Sequence, residues 1–419
     1  MLSTQLHIDR DRLLADIKTL ASFSDDTPPG ISRLVFADAD QKSRVWLKSQ
    51  CSAAGLSVRE DAVGNMFARW TGARPELAAI GTGSHIDAIP HSGKYDGTVG
   101  VLGGLEAIRA LQQSGFEPQR SIELLLFTAE EPTRFGLGCL GSRMLSGGLD
   151  STADARLKDS EGSTLAQLRA AAGFHGSLDQ VRLPGNYYAA FVELHIEQGP
   201  QLEKEGLAVG IVTSISAPAA LRISVEGEGG HAGGVLMHDR KDAFCAAAEI
   251  VLAIEARALA TGSVDTCATV GKCHVYPGAV NSIPSRVEME ADIRDTDEQR
   301  RNQVLRKIEE ACTRVAAARK VQVSVTLINA DAPATCSTRI VEAVVQAAAE
   351  NGLSYKKMVS RAYHDSLFMA RIAPVGMVFI PCRDGVSHRP DEYSAPQEIE
   401  NGVKVLACAL ASLSQAAGD

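Results

Sequence analysis

"PELAAIGTGSHIDAIPHSGKYDGTVGVLGGLEAIRALQQSG", Pro75 to Gly115, is the stretch that decides the fold. Its apolar opening reads as a short buried strand ending in a glycine turn, and the run from Val99 has helical spacing up to a closing Gly115. "SIELLLFTAEEP", from Ser121, follows as a β-rich run that Pro132 terminates. Strand, helix, strand at this length predicts a largely parallel α/β core, with active groups outside the strand ends. Upstream, residues 9 to 22 and 36 to 54 also carry helical spacing.

From about residue 215 the pattern changes. "LRISVEGEG" alternates as a strand, "DRKDAFCAAAEIVLAIEARALA" is helical, "TCATVGKCHVYP" and "SRVEMEADIRD" are strands, "DEQRRNQVLRKIEEACTRVAAA" is helical and "VQVSVTLI" is a last strand. That βαββαβ order is the ferredoxin-like α+β pattern. It would be complete by residue 328, after which a helix over Ile340 to Asn351 and a strand over Val375 to Pro381 resume the α/β character. The expected organisation is therefore one α/β domain from residues 1–214 and 329–419, with residues 215–328 inserted. No repeat, low-complexity tract or flexible linker interrupts it.

The 419 residues are 45% hydrophobic, enough for a substantial core and more than one small domain needs. Lys and Arg total 42 against 51 Asp and Glu, a formal charge of -9. That balance argues against nucleic acid and offers membranes no basic patch, which leaves small molecules as expected partners. Nine widely spaced cysteines without a CxxC indicate neither a disulfide framework nor a thiolate zinc site. The first thirty residues lack the apolar region of a signal, and no run of about 18 apolar residues occurs, so the cytoplasm is the expected location.

Only ten histidines are present, and four stand in polar, glycine-flanked settings: His85 in "SHID", His195 in "ELHIEQGP", His231 in "GGHAGG" and His388 in "SHRPDEY". Asp96 in "GKYDG" and Glu130-Glu131 after "IELLLFTA" join them. Adjacent carboxylates behind such an apolar run must be solvated, paired or coordinating, since an unpaired buried charge is costly. Imidazole and carboxylate donors without thiolates suit zinc, manganese or cobalt, and a two-ion hydrolytic site needs one bridging carboxylate. In "HID" the side chains of His85 and Asp87 share one face of an extended segment, so the Asp87 carboxylate is expected to accept the second ring proton of His85. Each piece alone is commonplace; the ordered set His85, Asp96, Glu130-Glu131, His195, His388 is not. His7, His175, His238 and His274 read as ordinary surface, strand or capping residues, while His91 and His364 stay open. Dinucleotide, Walker and serine-nucleophile motifs are absent.

In order and spacing, "GSHIDAIPHSGKYDGTVGVLGGLEAI", "FTAEEPTRFGLGCLGSR", "ELHIEQGP", "GGHAGG", "NSIP", "DIRD" and "SHRPDEY" resemble the M20 metallohydrolases of the allantoate amidohydrolase and N-carbamoyl-L-amino acid hydrolase group. The resemblance implies a catalytic domain with two divalent ions per subunit, manganese preferred and zinc next, and an inserted ferredoxin-like lid that forms a homodimer. By motif it implies that His85, Asp96 and His195 hold one ion, that Asp96, Glu131 and His388 hold the other, and that Glu130 is the general base. It assigns substrate binding to Gln198, His231, Asn281 and Arg294, with His231 also stabilising the oxyanion from the partner subunit. "DAIPHSGKYDG", "SRAYHDSLFMARIAP" and "FIPCRDGVSHRPDEYS" resemble the branch acting on ureidoglycolate in purine degradation, yielding glyoxylate, ammonia and carbon dioxide. Related carbamoylases tend to have glycine where "RAYHD" has Tyr363, which implies that Tyr363 restricts the substrate to a small ureido acid. The alternatives are allantoate, an N-carbamoyl-L-amino acid or a dipeptide as substrate, or a non-catalytic metal- or ligand-binding protein on the same scaffold.

Overall fold

The computed structural model describes residues 6–416. Two compact units divide the chain: one holds the residues up to Thr213, Thr335–Ser360 and those from His364 on, the other Ser214–Ala334 with Arg361–Tyr363. The apolar spacing that suggested a return at residue 329 gives no sign of the three-residue excursion at 361–363.

The first unit is built on a long mixed sheet. Its centre is parallel, in the order Val375–Ile380, Tyr188–Ile196, Ala79–His85, Ile122–Phe127. Val209–Ile215 on one side, and Met66–Trp70 then Ser57–Glu60 on the other, extend it antiparallel. Sequence spacing revealed the parallel centre but not these antiparallel flanks. Ala79–His85, Ile122–Phe127 and Val375–Ile380 are buried along their whole length, as strands covered on both faces must be. Thr98–Gln113 and Pro396–Gln415 pack on each other and on the central strands. The first can lie close because residue 100 is glycine: a Cβ there would stand 2.3 Å from the Leu194 carbonyl oxygen. Phe67, Phe127, Tyr188 and Phe191 fill a further core cluster.

The second unit has a four-stranded antiparallel sheet in the order Cys267–Tyr276, Arg286–Asp295, Ala217–Glu226, Gln322–Ala330. Helix Ala243–Leu259 follows its first strand in sequence, and helix Glu298–Arg319 precedes its last. Both helices are N-capped by aspartate side chains, Asp242 and Asp297. Along Arg286–Asp295 burial alternates, sending Val287, Met289, Ala291 and Ile293 into a core with Ile250, Ile254 and Ile308 of the helices. All nine cysteines are free thiols. Among the described residues no helix is long and apolar enough to cross a membrane.

Candidate metal centre

Four strand ends of the first unit converge on the centre. His85 closes Ala79–His85, Glu130 and Glu131 follow Ile122–Phe127, His195 lies near the end of Tyr188–Ile196, and His388 stands beyond Val375–Ile380. Asp96 comes from the turn before helix Thr98–Gln113. That turn needs residue 97 to be glycine, because φ there is +63° and a Cβ would meet the His85 ring. Ala129, Gln198 and His388 also take positive φ, 53°, 53° and 61°. Left-handed backbone at non-glycine residues is costly and gathers where side chains must be aimed.

Asp96 organises the donors. Its Oδ1 lies 3.2 Å from His195 Nε2 and 3.6 Å from His85 Nε2, while Oδ2 lies 3.1 Å from His388 Nε2. His388 Nε2 is in turn 3.2 Å from Glu131 Oε1. Two trios result, His85–Asp96–His195 and Asp96–Glu131–His388, each with its donor atoms within 4.8 Å of one another. Their common member presents a separate oxygen to each, the disposition a bridging carboxylate needs. Five residues offering nitrogen and oxygen donors, without thiolate, fit a pair of borderline or hard divalent cations.

The electrostatics agree. Burial would raise the Asp96 carboxyl, but hydrogen bonds with His195, His388 and His85 hold it well below the usual range. Burial would lower His85, yet Glu130, Asp87 and Asp96 keep it well above its ordinary value, and His195 is raised by Asp96 against burial in the same way. His388 is pushed up to about 11 by Asp96 and Glu131. Glu130 is driven well above the carboxylate range by burial, with Glu131, Asp365 and Asp87 adding to it. A cluster this acidic, with imidazoles held as acids, is one where cations can replace protons.

The supporting contacts differ in one respect from the sequence expectation. His85 Nδ1 meets the main-chain carbonyl of Asp87 at 3.0 Å, with the carboxylate Oδ1 farther off at 3.6 Å. The Asp87 carboxylate instead accepts the N–H groups of Glu130 and Glu131, at 3.2 and 3.0 Å, and so fixes the segment that presents both glutamates. Face-sharing in an extended segment could not distinguish these geometries. His195 Nδ1 meets the Ile196 carbonyl at 2.9 Å.

Several residues were given no part by the sequence, which left His364 open. Cys139 donates its thiol hydrogen to Glu130 Oε1 at 3.4 Å. Asp365 is buried and raised to about 8, chiefly by burial and then Glu193; its Oδ1 accepts from Ser142 Oγ at 2.5 Å, and its Oδ2 has no donor. His364 is buried, its ring 4.4 Å from that of His195. Glu193, His195 and His364 form a third close trio. Its glutamate already accepts from Ser84 Oγ, Ser366 Oγ and Ser366 N, so this group supports His195 rather than offering free donors. Glu392, in "SHRPDEY", is buried and raised to about 7 by burial and Asp96. All but Cys139 lie within four residues of an expected one in sequence, but only tertiary contact reveals their part. Gln198 Nε2 donates to Asp96 Oδ2 at 2.7 Å, leaving its Oε1 buried without a partner.

The other expected residues belong to the second unit. His231 pairs with Ser282 across a short antiparallel ladder, and the Asn281 carbonyl accepts from Ala232 N at 2.9 Å, so His231 and Asn281 are neighbours. Arg294 is held by the Asp292 carboxylate at 2.8 Å and lies 5.7 Å from the Tyr363 ring centroid. His91, which the sequence left open, lies in the first unit and pairs with Asp26 at 2.9 Å.

Two donor trios sharing one carboxylate at the ends of parallel strands are groups that could hold metal ions, an arrangement of the kind metal-dependent hydrolases use. Residues 81–412 match the model of "Peptidase family M20/M25/M40". The chain is 51% identical to the ureidoglycolate hydrolase of Arabidopsis thaliana, over 99% of this chain and 88% of that protein. It is 37% identical to the N-carbamoyl-L-amino acid amidohydrolase of Geobacillus stearothermophilus, over 95% and 97%. Crystal structures of AtUAH in complex with glyoxylate and with (S)-hydroxyglycine match it with a TM-score of 0.90 at 50% identity, covering 99% of this chain and 100% of theirs. The chain belongs to the M20/M25/M40 peptidase family, whose members depend on metal ions.

Proposed function

We propose that this protein hydrolyses the ureido amide of ureidoglycolate, releasing ammonia and carbon dioxide. The hydroxyglycine left behind would then break down to glyoxylate and a second ammonia. The observation that carries the reading is Asp96, with its two oxygens facing separate donor trios. The complexes of the AtUAH structures, with both expected products, support this choice of substrate.

His85, Asp96 and His195 are assigned to one cation, and Asp96, Glu131 and His388 to the other, with manganese preferred and zinc the alternative. Bound there, two divalent ions supply a Lewis acid for the ureido carbonyl and lower the pKa of water towards ~7. Glu130, outside both trios and within 3.7 Å of His85 Nε2, is assigned as general base. Its carboxylate takes a proton from the attacking water and delivers it to the departing nitrogen. A base with a raised pKa is suited to both halves of that transfer. Asp87 positions Glu130 and Glu131 through their N–H groups. The unpartnered Gln198 Oε1 suits a ureido N–H. Arg294 and Asn281 suit a substrate carboxylate, Tyr363 limits substrate size, and His231 of the partner subunit suits the developing oxyanion.

The second unit is assigned as a ferredoxin-like lid and dimerisation domain. Phe244, Leu252 and Leu259 are exposed on helix Ala243–Leu259, and the first two line a hollow of about 340 Å³ together with Val251, Cys273 and Met289. An apolar helix face of this kind calls for a partner. The location is assigned as cytoplasmic.

The test is ammonia release from ureidoglycolate, allantoate, N-carbamoyl-L-amino acids and dipeptides by chelated and remetallated enzyme. Activity confined to ureidoglycolate and restored by metal is expected. A protein that binds metal but turns over none of the panel would overturn the reading in favour of a binding role.

A further inference from the structure

Glu392 is 4% exposed, and its carboxylate joins two of the three segments of the first unit. Its Oε1 accepts the main-chain N–H groups of Tyr95, at 2.7 Å, and Asp96, at 3.1 Å, both 296 or more residues away in sequence. Its Oε2 faces Ser387 Oγ at 3.0 Å, and that hydroxyl is 2.6 Å from Asp96 Oδ2. One side chain therefore holds the backbone of Asp96 and, through one hydroxyl, its carboxylate. Ser387 directly precedes His388, so the same contact ties the turn carrying the shared carboxylate to the loop carrying a ligand of the second trio.

Two further observations set Glu392 apart from an ordinary buried acid. Glu106 and Glu123, also buried, are paired with Arg12 and Arg69. Among the described residues no ion pair offsets Glu392, and the neighbouring charge that acts on it most strongly is the acidic Asp96. Burying an acid against an acid costs stability that a fold has no reason to forgo. Second, its position depends on residue 93 being glycine: a Cβ there would lie 2.4 Å from Glu392 Cβ and Oε1. The Tyr95 and Tyr393 rings, 6.1 Å apart and edge to face, close the contact from the side.

We infer that Glu392, acting through Ser387 and the space left by Gly93, is the positioning residue that aims Asp96 so that its two oxygens face two cations. The inference rests on the two-ion reading above. It assigns Glu392 no contact with substrate.

Manganese binding by the full chain, measured by chelator competition, together with denaturation of the metal-free proteins, tests this in Glu392→Ala, Glu392→Gln and Gly93→Ala. Removing groups that orient metal ligands weakens affinity about 10- to 100-fold. That loss is expected for at least one ion in Glu392→Ala and in Gly93→Ala, which disturbs the same contact from the opposite side. Glu392→Gln keeps an acceptor for both N–H groups and a donor for Ser387, so it should recover most of the affinity. If Glu392→Ala fails to fold, the other two variants carry the test. Parental affinity for both ions in Glu392→Ala and Gly93→Ala, with only folding stability reduced, would overturn the inference. So would a Gln variant as weak as Ala. A parent protein that takes up fewer than two ions would instead overturn the two-ion reading, and this inference with it.

Discussion

Gly97→Ala places one methyl group against His85, assigned above to a cation, and the structure sets the size of the effect. The new Cβ would lie 2.4 Å from Cδ2 and Nε2 of His85 and 2.5 Å from its Cε1. Carbon contacts settle near 3.5–4.0 Å, so the ring must retreat by about 1 Å or the turn must open. Either movement spoils the geometry about Asp96, and a misplacement of about 1 Å can cost ~10²-fold in rate. The same substitution forces alanine to φ +63° and ψ -42°, a sparsely populated region that costs about 1–3 kcal/mol. Gly115→Ala separates the two effects. It lies just past the other end of the same helix at φ +74°, with nothing within 4 Å of a Cβ, so it carries the backbone penalty alone. Urea denaturation should show destabilisation in both variants, larger in Gly97→Ala because of the clash, while kcat/KM for ammonia release and manganese content should fall only in Gly97→Ala. A Gly97→Ala enzyme with two bound ions and kcat/KM within about threefold of the parent would refute the reasoning.

Glu130→Gln should lower kcat by about 10²–10⁴-fold while keeping both ions, as read by turnover and metal analysis; loss of an ion would contradict its assignment as base. Manganese affinity should fall between pH 8 and pH 6, with protons released on binding in calorimetry, because His85, His195 and His388 all hold protons more tightly than free imidazole. In the metal-free protein the His388 contribution has the opposite use: its pKa is raised to about 11, so the stabilisation is complete below ~6.5 and lost as pH rises through the folded value. Denaturation midpoints across that range check the direction. Cys139, buried and with its thiol pKa raised well above normal by burial and Glu130, should resist alkylation at pH 8 while the exposed Cys245, Cys267 and Cys273 react, as peptide mass mapping would report. Leu252→Glu, on the exposed face of its helix, should shift sedimentation from dimer to monomer; an unchanged mass would count against that face as the interface.

The sequence exposed what depends on local pattern. The strand before His85, the helix after Gly97 and the alternation of Arg286–Asp295 follow from periodicity and glycine placement, and each is where that pattern puts it. What it concealed depends on long-range contact. Antiparallel strands Ser57–Glu60 and Met66–Trp70 are short and partly exposed, so they lack a marked period. Asp87 was noticed, but which of its oxygens meets His85 is settled by the approach of residues 130 and 131 from another strand. Glu392 and Asp365 look like surface acids in one dimension, and only the fold buries them.

The tie between Tyr95 and Glu392 spans 297 positions of sequence and has a bearing on biosynthesis. A nascent polypeptide leaving the ribosome will have exposed His85, Asp96 and both glutamates long before His388 and Glu392 are translated. Earlier portions tend to fold first. The emerging protein must therefore tolerate an incomplete, strongly acidic cluster until translation has passed residue 392. Of the two donor trios, Asp96–Glu131–His388 is then completed late, whereas every member of His85–Asp96–His195 has been translated by residue 195, so a product truncated before residue 388 would lack one trio and keep the other.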